Sequence, residues 1–431
     1  MEQRSLHPTL IISNVLLDDQ PVHILVEGST IAQILPATAS LPATSSTCRH
    51  IDGHHKAAFP GLINTHTHAA MTLFRGYGDD LPLQQWLEEK IWPNEQHLDD
   101  DIVYWGTRLA CLEMIKGGTT TFNDMYFHLS ATAQAVADSG MKAALTQVAM
   151  DFFDPSRTAE AKQQFADYER LMASNQWPQV QWDCACHSVY TVSTELLQWV
   201  RDFAREHHTQ LSIHASETQK ECNDCQLRYG RSPIQLLDSL DMLDEHLIVA
   251  HGLWLSDDDV RLLGAHRCTV VHNPNSNLKL GSGARFLYSE LRQAGANIAL
   301  GTDGCSSSNN LDMIEACKTM SLLQKGWRAD PPVLPAAEVL STASAGGATA
   351  LGWNTGRLEP GMQADLFLTD LDNLAFVPNN NSLSNLIYAA HADCVDTTIR
   401  GGQVVMEHRK VKDEALIVAE ARRAARKLIT V

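Results

Sequence analysis

The segment AAFPGLINTHTH (57–68) is a short apolar run that becomes polar and ends in two histidines. Seven more short apolar or β-branched runs follow it, and longer segments with helical spacing separate them. One such segment, DIVYWGTRLACLEMIKGG (101–118), ends in a glycine pair, as helices often do. Eight strands that alternate with helices predict an α/β fold of the (β/α)8 TIM-barrel class. The seven later runs lie at residues 119–124, 143–150, 180–187, 210–216, 246–251, 268–273 and 296–304.

The two ends of the chain have a different pattern, in which short predicted strands alternate with turn-forming residues. Residues 9–36 and residues 355–405 both have this character. We expect the two ends to pair into one small β-sandwich domain, formed by residues 1–57 and 358–431. The barrel domain would then comprise residues 58–357.

The composition is that of a globular protein with a large core, since 44% of the 431 residues are hydrophobic and 19% are charged. The 51 acidic residues outnumber the 33 basic ones, which gives a formal net charge of −18. Because this charge repels phosphate groups, we expect no nucleic-acid partner and no membrane partner. The chain start has no secretion-signal pattern, and the ten cysteines do not form a disulfide framework. We therefore expect a cytoplasmic protein with reduced thiols.

His66 and His68 are the first candidate metal ligands. Residues at positions i and i+2 of a strand face the same side, so the two imidazoles can converge on one ion. They end the first predicted barrel strand, and barrel active sites lie at the C-terminal ends of the strands. An HxH pair alone is a weak signal, because many such pairs lie on protein surfaces.

Other polar residues lie at the predicted ends of later strands. His187 ends the fourth strand, His214 the fifth, His251 the sixth and Asp303 the eighth, while Glu217 follows His214 by three residues. Each of them alone is compatible with a buried core histidine or a helix-capping aspartate. Together at one end of a barrel they predict a catalytic site for a divalent metal such as zinc, which nitrogen and oxygen ligands suit.

Five segments carry a resemblance to a known family. The chain resembles the amidohydrolase superfamily and, within it, the branch of 5-methylthioadenosine/S-adenosylhomocysteine deaminases. The resemblance covers nearly the whole chain, although triazine hydrolases and guanine deaminases share most of the motifs. The segments are PGLINTHTHAAMTLFRG (60–76), HASE (214–217), VAHG (249–252), HNPNSNLKLGSG (272–283) and LGTDGCSSSNN (300–310).

The resemblance implies a role for each residue at the strand ends. His66, His68, His214 and Asp303 would bind one divalent metal ion, with Zn²⁺ favoured and Fe²⁺ or Mn²⁺ compatible with the same ligands. One ion is expected because the fourth strand, DCACHSVY (183–190), lacks the lysine that bridges two metals in dinuclear relatives. Asp303 would also accept a proton from the attacking water.

The resemblance also implies the reaction. A metal-bound hydroxide would attack C6 of an adenine ring, oriented by His251, while Glu217 would contact ring N1 and move protons to the leaving group. The expected function is hydrolytic deamination of 5-methylthioadenosine to the inosine analogue and ammonia. S-adenosylhomocysteine and adenosine are further expected substrates.

Substrate contacts follow from the same resemblance. In WLEEKIWPNEQHL (86–98), Glu95 would accept hydrogen bonds from both ribose hydroxyls, and Trp86 would pack on the sugar or thioether side. His187 would contact the purine. Arg157 is the candidate partner for a homocysteine carboxylate.

One residue departs from the pattern of the deaminase branch, and two alternative functions are compatible with the motifs. Gln147 stands where carboxylate-binding members of the branch often have a second arginine, which favours 5-methylthioadenosine over S-adenosylhomocysteine. The first alternative is a related hydrolase of a triazine or guanine-type ring, against which Glu95 and Trp86 argue. The second is a non-enzymatic scaffold, although such proteins usually lose metal ligands.

We also expect a homodimer, with the loops after the second and third strands near the interface.

Overall fold

A computed structural model of the protein describes residues 8–429. Its first three strands form an antiparallel meander, and the next two pair in parallel with the first. Asp18 and Asp19 both adopt left-handed backbone angles, at φ 50° and 57°, in the tight turn between the first two strands. Aspartate tolerates this conformation better than most residues do. The strands are β1 (Leu10–Leu17), β2 (Gln20–Glu27), β3 (Thr30–Pro36), β4 (Arg49–Asp52) and β5 (Lys56–Pro60).

Eight parallel strands then form the barrel, and their order in space is their order in the chain. Every residue of the first of these strands is buried, as in a sheet covered on both faces. The eight predicted strands and the barrel fold are confirmed. The strands are β6 (Leu62–Thr67), β7 (Thr119–Asp124), β8 (Lys142–Ala149), β9 (Val180–Ser188), β10 (Leu211–Ala215), β11 (Leu247–His251), β12 (Thr269–His272) and β13 (Asn297–Leu300).

Helices connect the barrel strands, and several begin at a capping side chain. Asp99 accepts a hydrogen bond from the backbone of Ile102, and Ser193 accepts one from Leu196. The helices are α1 (Leu83–Trp86), α2 (Trp92–Glu95), α3 (Asp100–Lys116), α4 (Leu129–Ser139), α5 (Pro155–Ala173), α6 (Thr194–His207), α7 (Gln219–Tyr229), α8 (Pro233–Ser239), α9 (Asp257–Ala265), α10 (Pro274–Lys279), α11 (Tyr288–Ala294), α12 (Cys305–Ser308), α13 (Met313–Arg328), α14 (Ala336–Ser341), α15 (Gly347–Leu351), α16 (Ser382–Tyr388) and α17 (Glu414–Ile429).

The last strands, β14 (Leu366–Asp370), β15 (Val395–Arg400) and β16 (Gln403–Met406), pair with the first ones. The order β16-β15-β14-β5-β1-β2-β3, with β4 beside β1, forms one sheet separate from the barrel. A sheet built from both ends of the chain is therefore confirmed. The division into domains at residues 57/58 and 357/358 stays a prediction. In the structure, β5, which spans the first of these boundaries, pairs in the terminal sheet. The C-terminal helix α17 packs on the barrel helix α3.

All ten cysteines are free. In residues 8–429, no helix has both the length and the hydrophobicity that a membrane span requires.

Side chains help to join the first and last barrel strands. The buried Asn64 accepts a hydrogen bond from the backbone N–H of Thr302 at 3.0 Å and donates to its hydroxyl at 2.7 Å. The backbone N–H of Asp303 donates to the carbonyl of His66 at 3.0 Å. The end of the eighth strand is thereby fixed beside the end of the first.

Gly301 lies at this closure. A Cβ atom there would lie 2.4 Å from Asn273 Oδ1, 2.8 Å from the carbonyl oxygen of His66 and 3.0 Å from its backbone nitrogen. These distances are shorter than van der Waals contact, so the close approach of the two strands requires glycine.

We expect Gly301→Ala to lower the free energy of unfolding by about 2 kcal/mol, because the added methyl group displaces strand backbone. Denaturant unfolding measures this change. The matched control is Gly326→Ala in α13, where an added Cβ meets nothing within 4 Å. Its stability should stay level or rise by up to about 1 kcal/mol, since alanine favours helix. Equal stability of both variants would contradict this account of the barrel closure.

Candidate metal centre and active site

The candidate ligands lie at the C-terminal ends of the barrel strands. His66 lies in β6, His68 directly follows it, and His214 lies in β10. His251 is the last residue of β11 and has a φ of 76°, while Asp303 follows β13 with a φ of 60°. Such left-handed angles in residues other than glycine cost energy and concentrate at functional sites.

Three histidines and one carboxylate converge at this edge. One ring nitrogen from each of His66, His68 and His214 lies within 4.8 Å of the others. Oδ1 of Asp303 lies 3.5 Å from Nε2 of His66 and 3.2 Å from Nε2 of His68. The predicted metal ligands are therefore brought together in space.

Hydrogen bonds orient the rings. Nδ1 of His68 donates to the carbonyl of Met125 at 2.6 Å, and Nδ1 of His214 donates to the carbonyl of His187 at 2.7 Å. In the neutral form of each ring the lone pair is then on Nε2, which is the arrangement typical of metal-binding histidines. Burial lowers the pKa of His66 to about 4, which keeps this imidazole neutral and able to bind a cation.

The carboxylate of Asp303 is held in its charged form. Burial opposes ionisation, but contacts with His66 and His68 lower the pKa of Asp303 well below its ordinary value. Its Oδ2 accepts hydrogen bonds from the hydroxyls of Ser276 at 2.6 Å and Ser307 at 3.0 Å. Burial opposes protonation of His68, but the interaction with Asp303 outweighs burial and raises the pKa of His68 to about 9, so a metal that binds here displaces a proton from His68. Three imidazoles and one carboxylate fit a divalent transition metal such as zinc.

Glu217 lies beside this cluster. Its Oε1 accepts a hydrogen bond from the hydroxyl of Ser282 at 3.0 Å, and its Oε2 lies 3.8 Å from Nε2 of His251. Burial, followed by the nearby charge of Asp303, raises the pKa of Glu217 to about 8. A carboxyl group with such a pKa can both give and take a proton near neutral pH.

Glu221 is a site residue that the sequence analysis missed. This buried carboxylate accepts the backbone N–H of Ser216 at 3.0 Å and that of Glu217 at 2.8 Å. It thereby holds the backbone at Ser216, where φ is 54°, and fixes the position of Glu217. The T-x-x-E spacing of residues 218–221, typical of a helix start, was the available signal.

Asn277 is a second missed residue. Its side-chain amide donates to Nδ1 of His251 at 2.9 Å. The proton of the neutral His251 ring is therefore on Nε2, which lies near Glu217. Asn277 lies in α10, and no local spacing pattern relates it to a histidine that precedes it by 26 residues.

One cavity joins this cluster to the predicted substrate residues. Trp86, Glu95 and His187 line it together with Glu217 and Asp303. The rest of the wall is mostly apolar. It includes Met71, Leu83, Leu87, Ile91, Trp92, Met125, Tyr126, Phe127, Val148, Met150 and Leu280.

Arg157 and Gln147, which the sequence motifs relate to binding of the amino acid part of S-adenosylhomocysteine, lie outside this cavity. Arg157 is exposed in the first turn of α5, with its guanidinium 5.2 Å from the ring centroid of Phe152. Neither Arg157 nor Gln147 lines the cavity, and within residues 8–429 no lysine or arginine does so. The structure thus does not bring Arg157 together with the other predicted site residues.

Relatives and solved structures resemble the chain along most of its length. It is 46% identical over 379 residues to the 5'-deoxyadenosine deaminase of Methanospirillum hungatei, covering 88% of this chain and 84% of that protein. It is 41% identical over 388 residues to the 5-methylthioadenosine/S-adenosylhomocysteine deaminase 1 of Archaeoglobus fulgidus, covering 88% and 90%. An adenosine deaminase from Xanthomonas campestris, solved with bound zinc, is 34% identical with a TM-score of 0.88, covering 98% and 99%.

The match to a protein family covers the barrel and the later strands of the terminal sheet, from β5 onward. Residues 57–405 match the model of the Amidohydrolase family. Together with the relatives above, this match establishes the family, as the sequence motifs predicted. The chain belongs to the amidohydrolase family.

Proposed function

We propose that this chain is a metal-dependent aminohydrolase that deaminates adenine nucleosides with a small apolar 5′ group. The products are the inosine analogue and ammonia, and 5-methylthioadenosine and 5′-deoxyadenosine are the proposed substrates. One observation carries the proposal: a three-histidine, one-carboxylate cluster shares a cavity with Glu217 and Glu95. The names of the relatives support the same substrate class.

The proposed metal ligands are His66, His68, His214 and Asp303. A divalent metal bound there, with zinc favoured, acts as a Lewis acid that makes water a nucleophile at neutral pH. The chain itself supplies three imidazole nitrogens, an ionised carboxylate and the hydrogen bonds that orient them. We propose one metal ion per chain.

Glu217 and His251 are the proposed proton-handling residues. Nε2–H of His251 donates a hydrogen bond to the attacking water oxygen and orients it towards C6 of the adenine ring. Glu217 takes a proton from the water and delivers it to N1 of the ring, which makes C6 more electrophilic. The carboxylate then moves the second proton to the departing amino group, which leaves as ammonia. Glu221 holds Glu217 in place through two backbone N–H groups.

The cavity walls support a nucleoside substrate. Glu95 offers a carboxylate to the ribose hydroxyls, Trp86 packs against the sugar or its 5′ group, and His187 contacts the purine. The apolar wall suits a methyl or methylthio substituent. A free triazine or guanine ring has no ribose hydroxyls to donate to the carboxylate of Glu95. A homodimer and a cytoplasmic location remain further predictions.

Removing one ligand tests the metal site. Purified protein should carry about one divalent metal per chain, and His214→Ala should lose both metal and turnover, because a three-ligand site binds much more weakly. Elemental analysis and ammonia release measure the two properties. His54→Ala, at an exposed histidine of the terminal sheet, is the control that should retain both. Two bound metals per wild-type chain would contradict the assignment.

Glu217→Gln tests proton transfer. Glutamine keeps the size of the side chain but cannot take up and release a proton near neutral pH, so kcat should fall by ~10²–10⁴ while the metal stays bound. Steady-state kinetics and metal analysis provide the measurement. Glu206→Gln on the exposed face of α6 is the matched control, with unchanged kcat. Activity of Glu217→Gln within a few-fold of wild type would remove Glu217 from the mechanism.

A substrate panel tests the substrate class. Because no lysine or arginine of residues 8–429 lines the cavity, 5-methylthioadenosine and 5′-deoxyadenosine should have kcat/KM values at least equal to that of S-adenosylhomocysteine. A 2′-deoxy sugar should lower kcat/KM by at least about ten-fold, since a site built around a hydroxyl rejects analogues that lack it. Loss of adenine absorbance and ammonia release report turnover. Turnover of guanine or a triazine without any nucleoside turnover would overturn the proposal.

A further inference from the structure

Tyr126 is a buried cavity residue whose hydroxyl has no part in the proton transfers above. It follows the end of β7 by two residues, and 4% of its surface is exposed. Its ring centroid lies 6.3 Å from that of His68. Its hydroxyl donates to Oε1 of Glu95 at 2.8 Å. A contact between residues 31 positions apart thus joins the loop after β7 to α2.

The carboxylate of Glu95 has room for further donors. Within residues 8–429, the hydroxyl of Tyr126 is the one hydrogen-bond donor to it. A carboxylate has about four acceptor positions, so most of its capacity is left for donors that enter the cavity that Glu95 lines. Burial raises the pKa of Glu95, while the hydrogen bond from Tyr126 acts in the opposite direction and favours the ionised form. Glu95 is thus held as an acceptor that is incompletely satisfied.

We propose that Tyr126 is a positioning residue that sets the preference of this site for ribonucleosides over 2′-deoxyribonucleosides. The inference rests on the proposed function and deepens it. By holding Oε1, the hydroxyl of Tyr126 fixes the rotation of the Glu95 carboxylate. Oε2 is then presented to the hydroxyls of the sugar in a fixed direction.

The surroundings of Tyr126 favour this role over simple packing. A phenyl ring would fill the same volume, whereas burying a hydroxyl beside a carboxylate costs desolvation of both groups. The preceding residue, Met125, accepts the hydrogen bond from Nδ1 of His68. One short segment therefore fixes both a proposed metal ligand and the carboxylate proposed to bind the sugar. This connection links the position of the Glu95 carboxylate to that of the proposed metal ligand His68.

Tyr126→Phe removes the hydroxyl and keeps the ring. With 5′-deoxyadenosine, KM should rise about ten-fold while kcat stays within about three-fold, because the lost interaction orients the sugar and not the reacting atoms. With 2′,5′-dideoxyadenosine, KM should change by less than about three-fold, so the preference for the ribose should fall. Calorimetric titration with the two corresponding inosine products measures the same difference without turnover.

Tyr104→Phe is the matched control. The hydroxyl of Tyr104 also donates to a carboxylate, that of Asp138, at 2.8 Å, but on the outer helices α3 and α4. Its kinetic constants should equal those of the wild type for both nucleosides. Metal content and thermal stability of both variants verify that each is folded and loaded.

A second substitution separates positioning from structure. In a Glu95→Gln background, Tyr126→Phe should have little further effect on the preference, because both changes act on one interaction. Full additivity would overturn the inference. So would an equal loss of kcat/KM for both nucleosides in Tyr126→Phe, which would leave the proposed function standing. Wild-type protein that deaminates no adenine nucleoside would instead overturn the proposed function itself.

Discussion

The contact of Asp303 with His66 and His68 is the interaction on which the rest of the site depends. Protonated imidazoles would repel one another at these distances, and burial keeps His66 neutral. The carboxylate of Asp303 is the negative charge that balances a cation bound between the rings. Its own ionisation depends on those histidines and on the hydroxyls of Ser276 and Ser307. The charge on Asp303 is therefore coupled to the two histidines on one side and to the two serine hydroxyls on the other.

The barrel closure makes this contact possible. Asp303 follows the eighth strand, and its backbone N–H is bonded to the carbonyl of His66 in the first strand. Asn64 adds two side-chain hydrogen bonds, and Gly301 allows the two backbones to approach. Residues more than 230 positions apart thus become neighbours because the first and last barrel strands lie side by side. Folding and site formation depend on the same few bonds.

The substrate side of the cavity depends on a different part of the chain. Trp86 and Ile91 belong to an apolar cluster that also contains Ala424 and Leu428 of the last helix, α17. Arg423 and Lys427 of that helix pair with acidic residues at the start of α3. Such exposed ion pairs contribute little, so apolar packing holds the helix. The final helix of the chain thereby supports a cavity wall formed near residue 90.

The sequence by itself determined the barrel and the ligand positions. Strand periodicity and the rule that barrel sites lie at C-terminal strand ends place His66 and Asp303 without any contact information. The resemblance of the motifs identified the family. These features are visible because each is encoded within a few consecutive residues.

Only the tertiary structure decided which side chains meet across the cavity. It joined Tyr126 to Glu95 and Asn277 to His251, and it left Arg157 exposed outside the wall. No period or local spacing encodes these outcomes, since each depends on how separate loops pack on the finished barrel. The direction of a loop side chain is set by its neighbours in space, and those neighbours come from distant parts of the chain.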